Sequence, residues 1–347
     1  MKQPIVLGLL ALAVITIIFM PVVLSLLFVG VVFGVFLTDA SRNVSHWLGL
    51  PRKAALTLVV LALLVLAGGL LALMVPRVAG QLQDLMANLP AYLRQASATL
   101  RSMDREWLPL REMAERLTDT AADLPAGLVG ESERLFSEVA GILSSGLGAL
   151  GVLLIVFAVA VYIAVEPGMY QRGILFLLPD RWHPGARRVM AETARTVGWW
   201  FVGQAISIII LFTAMTLGLW LIGVPFALVF GAFTGLMTFI PSLGPVIAGV
   251  PTLIVALTQG MPEMLVTLGL VIVLQNLEGL FITPNIHRRI IALPPALVLA
   301  SVLVLGNMVG MIGLFVAMPL VVVGQSLAQG IKAEWRALEK APSQTGS

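Results

Sequence analysis

The stretch AALTLVVLALLVLAGGLLALMV, residues 54–75, decides the fold. It carries no charge, and a helix of this length matches the ~30 Å hydrocarbon core of a bilayer, which takes roughly 20 residues. The same character recurs along most of the chain. Hydrophobic residues make up 59% of the 347 positions and charged residues only 11%, with a mean hydropathy of +1.00. A soluble domain carries roughly 25% charged residues, so a water-soluble globule is excluded.

Outward from 54–75, the apolar character of residues 5–37 is too long for one pass and just long enough for two short ones broken at Met20-Pro21. It also continues past the length of a secretory leader, which favours an uncleaved first span. A fourth span is expected over 142–165, where Gly141, Ser144, Ser145, Gly148 and Ala149 permit close helix packing in lipid. Later apolar segments fall at 196–222, 225–240, 246–258, 264–282, 295–307 and 310–328. Two of these, 246–258 and 295–307, are too short to cross alone and read as re-entrant or broken helices.

The fold class expected is therefore an all-α polytopic transmembrane bundle of about eight spans, with broken helices and a small helical extramembrane domain. Its regions are three N-terminal spans (1–75), an external helical domain (76–141), span four (142–165), a cytoplasmic amphipathic loop (166–195), a C-terminal membrane region (196–330) and a cytoplasmic tail (331–347). Within 76–141, seven Arg and ten acidic residues accompany a helical apolar spacing at Val78, Leu82, Leu85 and Leu89. Pro90, Pro109 and Pro125 are expected to divide it into short helices.

Charge fixes the expected orientation. Of the 21 basic residues, 14 fall in the N-terminus, 38–53, 166–195, 283–293 and the tail, and the other seven lie in 76–141. Basic loops stay cytoplasmic, while a long segment translocates regardless of its charge. Both termini should be inside a bacterial inner membrane and 76–141 outside. The pI near 9.6 reflects this topology and does not point to nucleic acid.

Few residues could carry chemistry. There is no phosphate-binding loop, no dinucleotide fingerprint, no zinc-protease motif and no nucleophile elbow. The three His, His46, His183 and His287, lack metal-ligand spacing, and Cys is absent. No enzymatic activity, cofactor or metal is expected. Glu278 departs from its surroundings in Leu274-Gln275-Asn276-Leu277-Glu278-Gly279-Leu280. A carboxylate inside a span is costly and is a functional candidate by default. Gln275 shares its face, and burial favours the protonated carboxyl, so Glu278 is a candidate for proton exchange. The alternative is a structural Glu tied to nearby polar groups.

A second candidate is Thr238-Phe239-Ile240-Pro241-Ser242-Leu243-Gly244-Pro245. Pro and Gly there would leave carbonyls without helical partners, which a membrane tolerates only beside protein or a water-lined cavity. Such breaks form substrate or ion sites in transporters; a surface turn between two helices is the alternative. Gln204, Thr283-Pro284 and Asn307 are weaker polar or breaking points.

These motifs resemble, in order, the autoinducer-2 exporter family of bacterial membrane proteins. They are Gly203-Gln204, Gly223-Val224-Pro225, Phe239 to Pro245, Gln275-Asn276-Leu277-Glu278 with Thr283-Pro284, and Gly310-Met311-Ile312-Gly313-Leu314 with Ala317-Met318-Pro319. Leu280 stands where the family often has a polar residue, and Leu293-Pro294-Pro295 replaces its Leu-x-Pro. The resemblance implies an inner-membrane transporter of roughly eight spans. Its members include exporters of small signalling molecules and sodium–proton antiporters.

The expected function is an ion-coupled secondary transporter or exporter of a small solute, autoinducer-2-like by resemblance. Glu278, Gln275 and Asn276 would couple transport, and Thr238, Pro241, Ser242, Gly244, Pro245, Gln204, Thr283, Pro284 and Asn307 would line the path. The alternatives are a cation–proton antiporter and a non-transporting scaffold that holds partners through 76–141. Partners expected are the bilayer and a small solute or cation, with self-association left open.

Overall fold

The computed structural model describes residues 20–101, 147–240, 244–278 and 295–340. Among them every regular element is helical. In chain order they are α1 (Pro21–Leu48), α2 (Arg52–Arg101), α3 (Leu147–Val165), α4 (Pro167–Phe176), α5 (His183–Ile222), α6 (Ala227–Met237), α7 (Gly244–Gln259), α8 (Met261–Leu277), α9 (Pro295–Val309) and α10 (Met311–Lys340). Among the described residues, four helical stretches are long and apolar enough to cross a membrane: Pro21–Leu48, Arg52–Asn88, Asp180–Ile222 and Ile312–Arg336. The shorter α6, α7, α8 and α9 are apolar too. At 16 residues α7 reaches about 24 Å, less than the ~30 Å core. The protein is a polytopic helical membrane protein.

The chain forms two compact units. The first comprises 1–67, 150–203 and 285–347. Its centre is close packing between α1 and α3. A Cβ on Gly34 would lie 2.8 Å from both the Ala160 carbonyl and Ile163 Cβ, and one on Gly30 would lie 2.8 Å from Val159 Cγ1. Only hydrogen fits at those two positions. The approach buries Leu37, Leu56, Ala160 and Ala164 beside stacked Phe33 and Phe36, with Phe201 5.2 Å from Phe36. Arg52 donates to the Ala164 carbonyl at 3.0 Å. It satisfies a last-turn acceptor of α3 and complements the negative end of that helix. α9 and α10 form a hairpin that packs on α1. The far part of α10 is fastened to the start of α5, where Arg188 donates through Nε and Nη2 to both Glu334 oxygens at 2.7 Å.

The second unit comprises 68–149 and 204–284. α7 packs on both α6 and α8. Glycine again sets the approach: a Cβ on Gly235 would sit 3.2 Å from the Ile208 carbonyl of α5, and one on Gly218 would overlap Leu270 of α8. The far part of α2 joins through Gln95, whose side chain donates to the Thr258 carbonyl at 3.1 Å. Tyr92 meets Phe226 edge-on at 5.8 Å.

Three sequence expectations change. Residues 38–48, expected in a loop, continue α1, because Thr38 and Ser41 bond back to carbonyls of their own helix. The helix stops only at Gly49, in the left-handed conformation that ends helices. No break occurs at position 90: α2 is continuous to Arg101. Val78, Leu82 and Leu85, all buried, share one helical face in the turns before it. The stretch 166–195 is mostly helical rather than a loop, holding α4 and the start of α5. Residues 1–19 and 102–146, including the expected first span and the Pro109 and Pro125 breaks, lie outside the described residues.

Candidate functional site

In the second unit, four helices each turn a face toward one small cavity. α5 contributes Leu211 and Met215, α6 contributes Thr234 and Thr238, and α7 contributes Pro245 and Gly249. These are i, i+4 pairs, which share a helix face. α8 adds Val271, Leu274, Gln275 and Glu278 at i, i+3, i+4 and i+7. The walls are apolar, since Leu211, Met215, Val271 and Leu274 are buried. The polar groups are therefore concentrated at Thr234, Thr238, Gln275 and Glu278. The space measures about 20 Å³, room for one water-sized occupant.

The broken segment lies against this cavity. α6 ends at Met237, Thr238 is its cap, and α7 begins at Gly244. Pro245 is tolerated because the first turn of a helix needs no N–H from it. Gly244 donates its N–H to the Ile240 carbonyl at 2.8 Å, and a Cβ there would run into the Met237 carbonyl. The break is thus held by a backbone contact that only glycine permits. Thr238 Oγ1 accepts from Gln204 Nε2 at 2.8 Å and donates to the Gly235 carbonyl at 2.8 Å. The Thr234 hydroxyl is buried and, among the described residues, has no hydrogen-bond partner.

Glu278 stands at the end of the described part of this segment. It caps α8, its own N–H bonding to the Gln275 and Leu274 carbonyls. No ion pair to it occurs among the described residues. A carboxyl, an amide and a hydroxyl facing one water-sized space can take up a proton or coordinate a small cation.

The structure thus brings together Glu278, Gln275, Thr238 and Pro245 on the cavity, with Gln204 bonded to its edge and Gly244 shaping the break. Asn276 does not join them; its side chain donates to the Ile272 carbonyl on its own helix at 2.7 Å. Asn307 is an exposed residue of α9, in the first unit. Pro241, Ser242, Thr283 and Pro284 lie outside the described residues. Sequence reading missed Thr234; its spacing of four from Thr238 is the signal that could have found it.

Sequence reading also missed a polar cleft of about 570 Å³ in the first unit. Asp39 and Asn43 of α1 face Glu192, Arg195, Thr196 and Trp199 of α5. Asp39 approaches Gly198 so closely that a Cβ there would be 2.9 Å from its Oδ2. Its volume falls in the range of small-molecule sites.

Long apolar helices, short broken ones and polar groups concentrated at a break define a class: helical membrane transporters. The model described as "AI-2E family transporter" matches residues 7–332. The chain belongs to that family and is a membrane transporter. It is 24% identical over 303 residues to the Bacillus subtilis chain named "Putative transport protein YrrI", covering 86% of this chain and 84% of that one. It is 21% identical over 280 residues to the B. subtilis "Putative transport protein YueF", covering 78% and 74%. A third relative, "Putative transport protein sll0060" of Synechocystis, is 24% identical over 276 residues, covering 79% and 77%.

Proposed function

We propose that the protein is an ion-coupled secondary transporter that exports a small polar solute across the bacterial inner membrane, with Glu278 as the coupling carboxylate. The observation that carries this reading is the polar cavity at the α6–α7 break. Glu278, Gln275 and the Thr234 hydroxyl, which has no hydrogen-bond partner among the described residues, face a space that holds one small occupant. A cavity of about 20 Å³ suits a proton, carried by the carboxyl, or a partly dehydrated cation; it is too small for a signalling molecule such as autoinducer-2. The solute-sized space is the Asp39–Trp199 cleft, whose charged and hydrogen-bonding lining suits a polar molecule. The cavity's size also favours the second reading, a cation–proton antiporter in which ions are the only cargo. A scaffold would have no use for either space.

Purified protein in proteoliposomes tests this. An imposed proton or sodium gradient should drive uptake or release of a polar solute from a panel of signalling-molecule analogues. Gradient dissipation with no solute movement, but with countermovement of sodium and protons, would select the antiporter. No flux of any kind under either gradient would return the scaffold.

Orientation is tested by labelling. The chain has no native Cys, so Ser102→Cys and Arg187→Cys can each be probed with an impermeant thiol reagent. Position 102 should react in intact cells and position 187 only after permeabilisation. The reverse pattern inverts the proposed topology, in which both termini are cytoplasmic.

A further inference from the structure

Where α3 ends, the chain turns sharply: the axis of α4 lies at 82° to that of Gly151–Val165. If α3 crosses the bilayer, a helix at that angle runs close to the membrane plane. α4 and the residue after it expose five large apolar side chains, Met169, Tyr170, Ile174, Phe176 and Leu177, each at least 40% accessible. At 100° per residue they fall within an arc of ~160°. Leu175, which is buried, points the opposite way, and buried Pro167 stands at the edge of the arc beside Ile174. Arg172 flanks one edge of the apolar arc, and exposed Gln171 lies opposite it.

Aromatic residues flank the bend and the start of the next long helix. Tyr162 and Tyr170, exposed by 71% and 40%, sit on either side of the bend. Trp182 pairs with Trp335 at 5.6 Å, and Arg181 lies 5.8 Å from the Trp182 ring. Tyr and Trp collect at membrane–water boundaries, where an apolar ring and a polar tip are both satisfied. An apolar face exposed over this much of a short helix is not stable in water, and the end of a span delivers it to the one surface that matches it.

We propose that α4 is an in-plane membrane anchor. The face formed by Met169, Tyr170, Ile174, Phe176 and Leu177 is buried in the headgroup–acyl boundary, with Arg172 reaching outward to lipid phosphates. The anchor fixes the depth of α3 and of the start of α5 against sliding along the membrane normal. It stands apart from the ion-coupling reading of Glu278, since neither uses the other's residues.

The test again exploits the absence of Cys. Nitroxide labels are placed one at a time at 169, 170, 171, 172, 173, 174 and 176 of the full chain, in vesicles of phosphatidylethanolamine and phosphatidylglycerol. Collision rates with oxygen and with a water-soluble nickel complex are then compared. Labels at 169, 170, 173, 174 and 176 should favour oxygen at a depth of about 5–10 Å below the phosphates, and those at 171 and 172 should favour nickel. Nickel preference at every position would place α4 in water and overturn the anchor. Oxygen preference at every position would make it a continuation of the span and overturn it equally. Labels at 170 and 174 shielded from both reagents, and freed when the protein is diluted in lipid, would show that a second copy covers the face instead. Because seven positions report independently, one variant that fails to purify as a well-behaved protein leaves the pattern readable.

Discussion

Glu278→Gln should lose gradient-driven flux by about tenfold or more, while the protein inserts and purifies as wild type. Gln keeps the shape and hydrogen bonding of Glu but can neither release a proton nor offer a full negative charge to a cation. The cavity wall is otherwise apolar, and its remaining polar groups, Thr234, Thr238 and Gln275, are neutral. Nothing else among the described residues on that wall can take over the role. Glu278→Asp should retain part of the flux with an altered pH profile, because the carboxyl is kept but withdrawn by one methylene. A structural role predicts the opposite order. Gln would relieve the cost of burying a carboxyl and leave activity intact, whereas Asp would disturb packing. Flux against pH for both variants in the same vesicles distinguishes the two, and unchanged pH dependence in Glu278→Gln removes the coupling role.

Gly244→Ala should destabilise the protein, and Gly249→Ala should not. The added methyl at 244 meets the Met237 carbonyl oxygen, and the carbonyl carbon behind it at 2.7 Å. These are backbone atoms, so no rotamer change relieves the overlap; α7 must move relative to α6. Overpacking of this kind costs about 1–3 kcal/mol. At 249, five residues along α7 and facing the same cavity, a Cβ meets only Val271 Cγ1 at 3.6 Å, an ordinary contact. That methyl takes volume from a space of about 20 Å³ and should lower flux without lowering stability. Thermal unfolding in detergent, followed by tryptophan fluorescence, together with flux in vesicles, reads both. A Gly244→Ala protein with a wild-type midpoint would show that the α6–α7 break is not held by this contact. A larger side chain such as Gly244→Leu adds volume at the same place, so it tests the break's folding before it tests passage.

Much of this protein was determined by its sequence alone. Uncharged runs such as 54–75 admit only helices in a bilayer, because lipid offers no partner for an unpaired peptide group. Proline and glycine marked the break before Gly244, the short segments near 246–258 and 295–307 were read as too short to cross, and Glu278 stood out because charge is rare in such surroundings. Helix ends were less legible. Residues 38–48 look polar enough for a loop, yet serine and threonine satisfied themselves on α1, and position 90 did not interrupt α2.

Only the tertiary structure decided which polar residues act together. Asn276 and Gln275 are neighbours in sequence, but 100° of helical rotation sends one to the cavity and the other back onto its own helix. Thr234 gained significance only when α6 was laid against α5, and Asp39 and Glu192, which no motif joins in the sequence, became two sides of one cleft. Periodicity states which residues share a face. Which faces meet is set by close approaches at Gly30, Gly34, Gly218 and Gly235, where the absence of a side chain lets one particular pair of helices come together.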